Sequence, residues 1–471
     1  MPPALHLRPG LHRLPTDFPD PNSTGRRCLQ RAWVTQRRSY ANASSPLLSS
    51  SSLLQRSSHR SKCPLRYAVL GAGFAGLSVV WHLLKHGPKE SPMRIDIYDE
   101  VGIGAGASGV SGGLLHPYSP KAKLLWGGAE CWKECLELLA VAEKTMQAGT
   151  SNRIMQDSSC TSDGTMIWRR GILRPATSEK SMKILKENAQ NCLEGCSLEV
   201  LDRNAAQCLI PDLCVPFNFA VYMPLAMNIH PKRYLEALFL ACHHLADVES
   251  ISSSEEREIN LFKEPISSLH GLSEEYDAVI ICLGAKVDML PELSGKLPLR
   301  TCRGVVAELQ LPANMGGEYG DKSPSILSDA WLAFQGPRRV FMGSTWEWRS
   351  KNYASSVSEE EASRAMEELF PKASAVYPAL KKWTFVGARG GLRAMPPLTP
   401  HGSLPLLGCM DDVIETRGRC MYWVVGGLGS RGLLYHGLVG KLTAQAVISS
   451  DEKVLPLEFT SWKKMASKVT T

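Results

Sequence analysis

The sequence lacks any apolar stretch of membrane-spanning length, since no window reaches 18 apolar residues without a charge. A transmembrane helix is therefore not expected. Among its 14 cysteines there is no Cys-x-x-Cys pair and no Cys/His cluster with zinc spacing. No metal site and no disulfide framework are expected, and the cysteines read as thiols of a reducing or organellar compartment. Acid is scarce at the start: residues 1–66 hold 11 Lys+Arg against Asp17 and Asp20, a net of +9. The formal total of +7 thus leaves a body at −2, with no global electrostatic pull on nucleic acid. The Arg- and Ser-rich residues 1–62 lack an apolar core of secretory length, and Ser44–Ser61 is of low complexity. That is transit-peptide composition. Its serine content points to a chloroplast, with a mitochondrion, or a cytoplasmic protein bearing a disordered extension, as alternatives.

What is present is organised around Val69-Leu70-Gly71-Ala72-Gly73-Phe74-Ala75-Gly76. An apolar strand precedes these glycines and an apolar helical run, Leu77–Leu84, follows and closes at Gly87. Strand, glycine turn and helix open a dinucleotide-binding βαβ unit. Gly71 permits the turn, Gly73 lets backbone approach a pyrophosphate, and Gly76 lets the helix pack closely. The helix N-terminus offers free N–H groups to phosphate. The next strand, Arg94–Asp99, ends in a carboxylate suited to both hydroxyls of an adenosine ribose, with Glu100 beside it. The motif alone does not choose between FAD and NAD. The loop from Gly102 to Pro117, with Ala107, Ser108 and Gly109, is small enough to press backbone against a flat ligand, and His116 ends it.

The chain length suits two domains. Helices are expected over Ala122–Gln147, Pro231–Leu245 and Ser358–Phe370, and strands over Thr165–Trp168 and Ala220–Met223. Residues 249–275 read as polar and irregular. Asp277–Ala285, an apolar run containing Gly284, reads as a buried parallel strand. From Cys302 the pattern turns antiparallel: Arg303–Leu309, then a hairpin of Trp331–Phe334 and Arg339–Thr345. Met421–Val425 is a strand, and Gly429-Ser430-Arg431-Gly432-Leu433 leads into a final helix. The expected fold class is α/β: a discontinuous Rossmann-like domain over 63–150, 225–300 and 383–450, and a largely antiparallel β-sheet substrate domain over 151–224 and 301–382. Residues 1–62 and 451–471 are tails.

The Gly71 turn with Asp99, the Gly106 loop, the strand ending at Gly284 and the turn at Gly426 occur in this order. Together they resemble the FAD-dependent D-amino-acid-oxidase-like family, which includes glycine and sarcosine oxidases. Within it, Arg303–Val306, Gly390–Gly408 and the Gly-Ser-Arg-Gly-Leu string at 429–433 look like the C-terminal oxidoreductase domain of the bacterial enzyme that modifies the tRNA wobble uridine. The resemblance implies FAD, and an amine whose α C–H passes as hydride to flavin N5, leaving an imine that hydrolyses. It implies an N-substituted glycine unit as substrate, a small-molecule amine or one carried on tRNA. Small-molecule oxidation of glycine, proline or a D-amino acid is the first rival. A flavin-holding scaffold without turnover is the second, and a nicotinamide dehydrogenase the third. Arg431 is expected at the negative edge of reduced flavin and Arg393 on a substrate carboxylate, with Arg389 as a substitute. His116 is expected to touch the flavin or pocket, and Tyr222 and Trp346 to line the substrate side.

Overall fold

The computed structural model describes residues 63–152, 164–253, 255–414 and 419–466. The expected leader over residues 1–62 lies outside them. Leu65–Leu70 (β1) and Met93–Tyr98 (β2) pair in parallel on either side of the helix Phe74–His86 (α1). The apolar runs dictate this: Tyr67–Leu70 are buried, and so are ten residues of α1. A helix so apolar all round must be covered on both sides. Its outer cover is the helix Gly432–Ser449, which approaches closely because Gly440 has no side chain. A Cβ there would lie 2.1 Å from Ser78 Oγ.

β1 is central in a six-stranded sheet. On one side come Ala278–Ile281, then Met421–Gly426, both parallel, then Leu406–Cys409, antiparallel. On the other side of β2 the sheet continues with Arg257–Phe262, also parallel. That strand corrects the expectation of irregular structure over 249–275. Its first residues alternate between buried Arg257 and Ile259 and exposed Glu258, as an edge strand with one buried face should.

A second sheet of nine strands holds the long strand Arg300–Gln310, which pairs antiparallel with both Arg339–Gly343 and Thr384–Met395. Residues 384–395, expected in the nucleotide domain, therefore belong to this sheet. The hairpin of Trp331–Phe334 and Arg339–Gly343 forms as expected. Both sheets belong to one compact unit.

Helix ends differ from expectation for local reasons. The expected start at Ala122 is a turn, with Ala122 at φ +57°, and the helix spans Gly128–Asn152. The helix from Pro231 continues past Leu245 to Ser253. Ser358 caps the next long helix through the Glu361 N–H, but that helix runs through Pro371 to Val376 rather than stopping at Phe370. The final helix begins at Gly432, with Arg431 as its cap residue, rather than at Ser430.

Candidate flavin and substrate site

The glycine turn sits where β1, β2 and Ala278–Ile281 all end. Gly71 has φ +107°, and a Cβ on it would lie 2.5 Å from Cys282 O. At Gly76 a Cβ would lie 1.9 Å from Gly71 O, so any other residue would force α1 off the turn. Ala72 N–H donates to Asp99 Oδ2 at 2.9 Å, while Val101 and Gly102 N–H donate to Oδ1 at 3.1 and 2.9 Å. A carboxylate has about four acceptor positions. Three are taken, so Asp99 is left with room for one ribose hydroxyl, not the expected two. Glu100 turns outward to Lys286 Nζ at 2.5 Å, which holds its carboxyl below the usual range, and its side chain is spent on that pair.

Phe74 N–H donates to Ser108 Oγ at 3.1 Å, and a Cβ on Gly73 would meet the same hydroxyl at 2.9 Å. Ser108 belongs to a single helical turn, Ala107–Val110 (α2), so the small-residue loop folds back onto the N-terminus of α1. The first-turn N–H groups of Ala75 and Gly76 have no carbonyl of their own helix to meet. Around them the backbone is tight on the protein side and open on the other. A Cβ would lie 2.0 Å from Gly104 O at Gly109 and 3.0 Å from Ala107 Cα at Gly391, but would meet nothing within 4 Å at Gly106 or Gly284. Glycines facing space beside orphan N–H donors form a cradle of the kind that accepts a flat, phosphate-linked ligand.

Beyond the loop lie two groups of cations. His116 is buried with Nδ1 lacking a partner, and burial, helped by Arg431 and Arg174, pushes its pKa down to about 3. It is a neutral imidazole at physiological pH. Arg431, at the head of the final helix, is lowered by burial, and so is Arg174. Among the described residues no carboxylate forms an ion pair with Arg431. A desolvated guanidinium without a counter-ion is a ready partner for an anion or an electron-rich ring edge. Gly429 N–H donates to Ala394 O at 3.0 Å, tying the Gly429–Leu433 turn to the strand that carries Arg393.

Arg393 forms the second group. It lies opposite Cys302 in the register of the long strands. Its guanidinium donates to Thr345 O at 3.0 Å, Cys302 O at 3.3 Å and Ser344 Oγ at 3.4 Å, and stacks 4.1 Å from the Trp346 ring centre. No carboxylate among the described residues pairs with it, whereas the neighbouring Arg303 is consumed by Glu361 at 2.5 Å. Arg389 stacks on Phe341 at 4.9 Å and has Glu308 as its nearest acid influence, so it is the poorer anion site.

The structure brings Arg393 and Trp346 together but not Tyr222. That residue pairs with Leu173 and packs into the cluster beneath the helix Glu359–Val376, and its hydroxyl donates to Arg170 O at 3.2 Å. Side chains alternate across a strand, so Tyr222 faces the side of the sheet opposite Arg174. Two residues escaped sequence reasoning. Arg174 stands beside His116 and Arg431. Trp331 fills the gap between loop and sheet: Cβ atoms on Gly112 and Gly343 would each lie 2.4 Å from its ring. The Gly112-Gly113 pair was the available signal, since adjacent glycines in an apolar loop make room for something large.

Comparison with known proteins agrees with this geometry. The chain matches the FAD dependent oxidoreductase (DAO) family over residues 66–446 and belongs to it. FAD is the cofactor, and the protein is an oxidoreductase. Glycine oxidase from Geobacillus kaustophilus superposes with a TM-score of 0.63 at 18% identity, over 84% of this chain and 98% of that one. L-proline dehydrogenase from P. horikoshii gives 0.61 at 14% identity, over 86% and 98%. At such identities the likeness is one of fold. The thiamine biosynthesis oxidoreductase ThiO of Rhizobium etli is 29% identical over 175 residues, covering 37% of this chain. The chain spans 45% of that relative's length. The cradle fits the family's cofactor. The α1 N-terminus and Ser108 would hold the pyrophosphate, Asp99 a ribose hydroxyl, and Arg431 with His116 the flavin ring.

Proposed function

We propose that the protein oxidises the carbon–nitrogen bond of an amine bearing a carboxylate, an N-substituted glycine unit that is either free or carried on a tRNA wobble uridine. One observation carries this reading: Arg393 is a half-buried guanidinium with no acid partner among the described residues, fixed by Thr345, Cys302 and the Trp346 ring. Bound FAD supplies the acceptor for the hydride leaving the carbon next to nitrogen. The chain supplies alignment. Arg393 receives the carboxylate through its charge and the one Nη1 N–H that its contacts to Cys302, Ser344 and Thr345 leave free, which orients the α-carbon relative to the ring. Arg431 places positive charge where negative charge develops. His116, held neutral by burial, adds no further charge to the arginines near it. Trp331 walls the site and keeps it dry. A neutral amine needs no strong base, so none has to be found.

The names of the structural neighbours, glycine oxidase and proline dehydrogenase, support an amino-acid-like substrate. The Gly429–Leu433 turn supports the tRNA-borne form, through the resemblance noted above. The composition of residues 1–62 supports import into a chloroplast. The test is anaerobic titration of the flavin-loaded full chain with sarcosine, glycine, proline and D-amino acids, followed by carboxymethylaminomethyl-modified tRNA. Bleaching of the flavin band by one class identifies the substrate. A flavin that none of them reduces refutes the reading and favours a non-catalytic flavin-holding protein.

A further inference from the structure

The head of the final helix is held from beneath by a buried polar pair that neither the flavin cradle nor the substrate site uses. His436 lies near the start of that helix, and Tyr234 lies in the helix Pro231–Ser253. Both are fully buried. His436 Nδ1 is 2.7 Å from Leu433 O, and a carbonyl only accepts, so Nδ1 carries the proton. Burial pushes the His436 pKa down to about 4, so the ring is neutral and Nε2 is an acceptor. Tyr234 O–H donates to it at 2.6 Å. Leu433 O also receives Cys135 Sγ–H at 3.2 Å. Phe74, the first residue of α1, lies 5.2 Å from the His436 ring centre and 6.3 Å from that of Tyr234. A side-chain cap commonly holds a helix head, but Arg431 in the cap position supplies none. The carbonyl that His436 grips belongs to Leu433, two residues beyond Arg431.

Apolar residues could fill this place. Phe74, Leu433 and Leu434 belong to the same core, and replacing both partners of a buried hydrogen bond by apolar groups of like shape is close to neutral. Apolar contact is non-directional, however, and fixes an arrangement less uniquely. We propose that His436 is a positioning residue: through Leu433 O and Tyr234 it sets the orientation of the helix head and so holds the Arg431 guanidinium at the flavin edge. The inference rests on the placement of Arg431 given above. A fixed charge is effective because it needs no reorientation as negative charge develops. A head free to turn would spread Arg431 over several positions and stabilise the reduced cofactor less.

The test compares the flavin-loaded full chain with Tyr234→Phe, His436→Leu and the double variant, by Tm and by two-electron midpoint potential. Each single variant strands a polar group in the core and should lower both. The double variant should recover most of the Tm. Its potential should stay below the parent's by roughly three- to tenfold in the reduction equilibrium, or about 15–30 mV. Tyr319→Phe is the control. It deletes a buried tyrosyl hydrogen bond, to Pro324 O at 2.5 Å, in the core of the other sheet, and should lower Tm alone. A double variant with the parent's potential overturns the inference and leaves the pair a packing element. So does an equal fall of potential in Tyr319→Phe. Tyr234→Phe removes one oxygen and no carbon, so it decides if the double variant loses flavin: an unchanged potential there overturns the inference too. Arg431→Gln should lower the potential at least as far as the double variant. An unchanged potential in Arg431→Gln refutes the placement of Arg431 and the inference with it. A fall in Arg431→Gln alone upholds the placement and overturns the role of His436.

Discussion

Replacing Arg393 by glutamine is the sharpest perturbation of the substrate site. The side chain makes no ion pair among the described residues. Its contacts are the carbonyls of Thr345 and Cys302, the Ser344 hydroxyl and the Trp346 ring. Glutamine keeps a donor but loses the charge. A hydrogen bond to a charged group contributes about 1.5–3 kcal/mol. The variant should therefore lose roughly ten- to 150-fold in kcat/KM on a carboxylate-bearing amine, at 1.4 kcal/mol per tenfold. The assay is anaerobic flavin reduction by sarcosine and by sarcosinamide, which lacks the charge. Parent enzyme should prefer sarcosine, and Arg393→Gln should bring the two rates together. Arg393→Lys should fall between, because an ammonium keeps charge without the planar group that Cys302, Thr345 and the Trp346 ring hold in place. An equal loss on both substrates would show that Arg393 only supports the Thr345–Trp346 turn. An unchanged kcat/KM for sarcosine would remove it from the site.

Further outcomes follow from the cradle and the core. Gly76→Ala places a methyl 1.9 Å from Gly71 O, so the protein should be recovered without flavin, as read by absorbance per chain after gel filtration. Normal loading would refute the proposed role of that contact. Ser108→Ala removes the hydroxyl that receives Phe74 N–H and should weaken FAD retention by about 0.5–2 kcal/mol, measured as flavin release in a dilution series. His82 is buried with neither ring nitrogen partnered, and burial lowers its pKa to about 3. Its unfolded pKa is about 6.5. The unfolded chain thus binds the proton first: stability is intact above about pH 6.5 and declines toward pH 3, by up to about 1.4 kcal/mol per pH unit. His82→Leu should flatten the acid side of a Tm-versus-pH curve, and a curve parallel to the parent's would contradict the assignment.

The nucleotide half of the fold was legible because each of its elements is a signal in itself. Tyr67–Leu70 of β1 and Ala278–Ile281 are continuous apolar runs, and the Gly71–Gly76 spacing fixes the turn between strand and helix. Arg257–Phe262 was not legible, since an edge strand with Glu258 and Asn260 on its outer face resembles a polar loop. Proline misled at position 371, where the helix continues because packing of Leu369, Ala373 and Val376 outweighs one lost hydrogen bond. Arg393 and Trp346, singled out from neighbouring glycines and strand pattern, are brought into contact by the fold. Tyr222 was assigned to the wrong face, because its side depends on a register with Leu173 that only the folded sheet defines. Arg174 carries no local pattern at all. It becomes a site residue only when its strand is laid beside the head of the final helix.

The bond from Gly429 N–H to Ala394 O has a mechanical consequence. Arg393 and Arg431 sit on opposite sides of that bond, one on the strand and one on the turn that it joins. Both guanidiniums are therefore mounted on segments that this bond ties together, so a displacement of one segment carries the other with it. The Ser344–Ser350 segment, which carries both exposed tryptophans and Arg349 at φ +61°, is laced to the same long strand, with Trp348 opposite Cys302 and Arg349 N–H donating to Thr301 O. One strand, Arg300–Gln310, thus serves as the common mount for that segment and for Arg393.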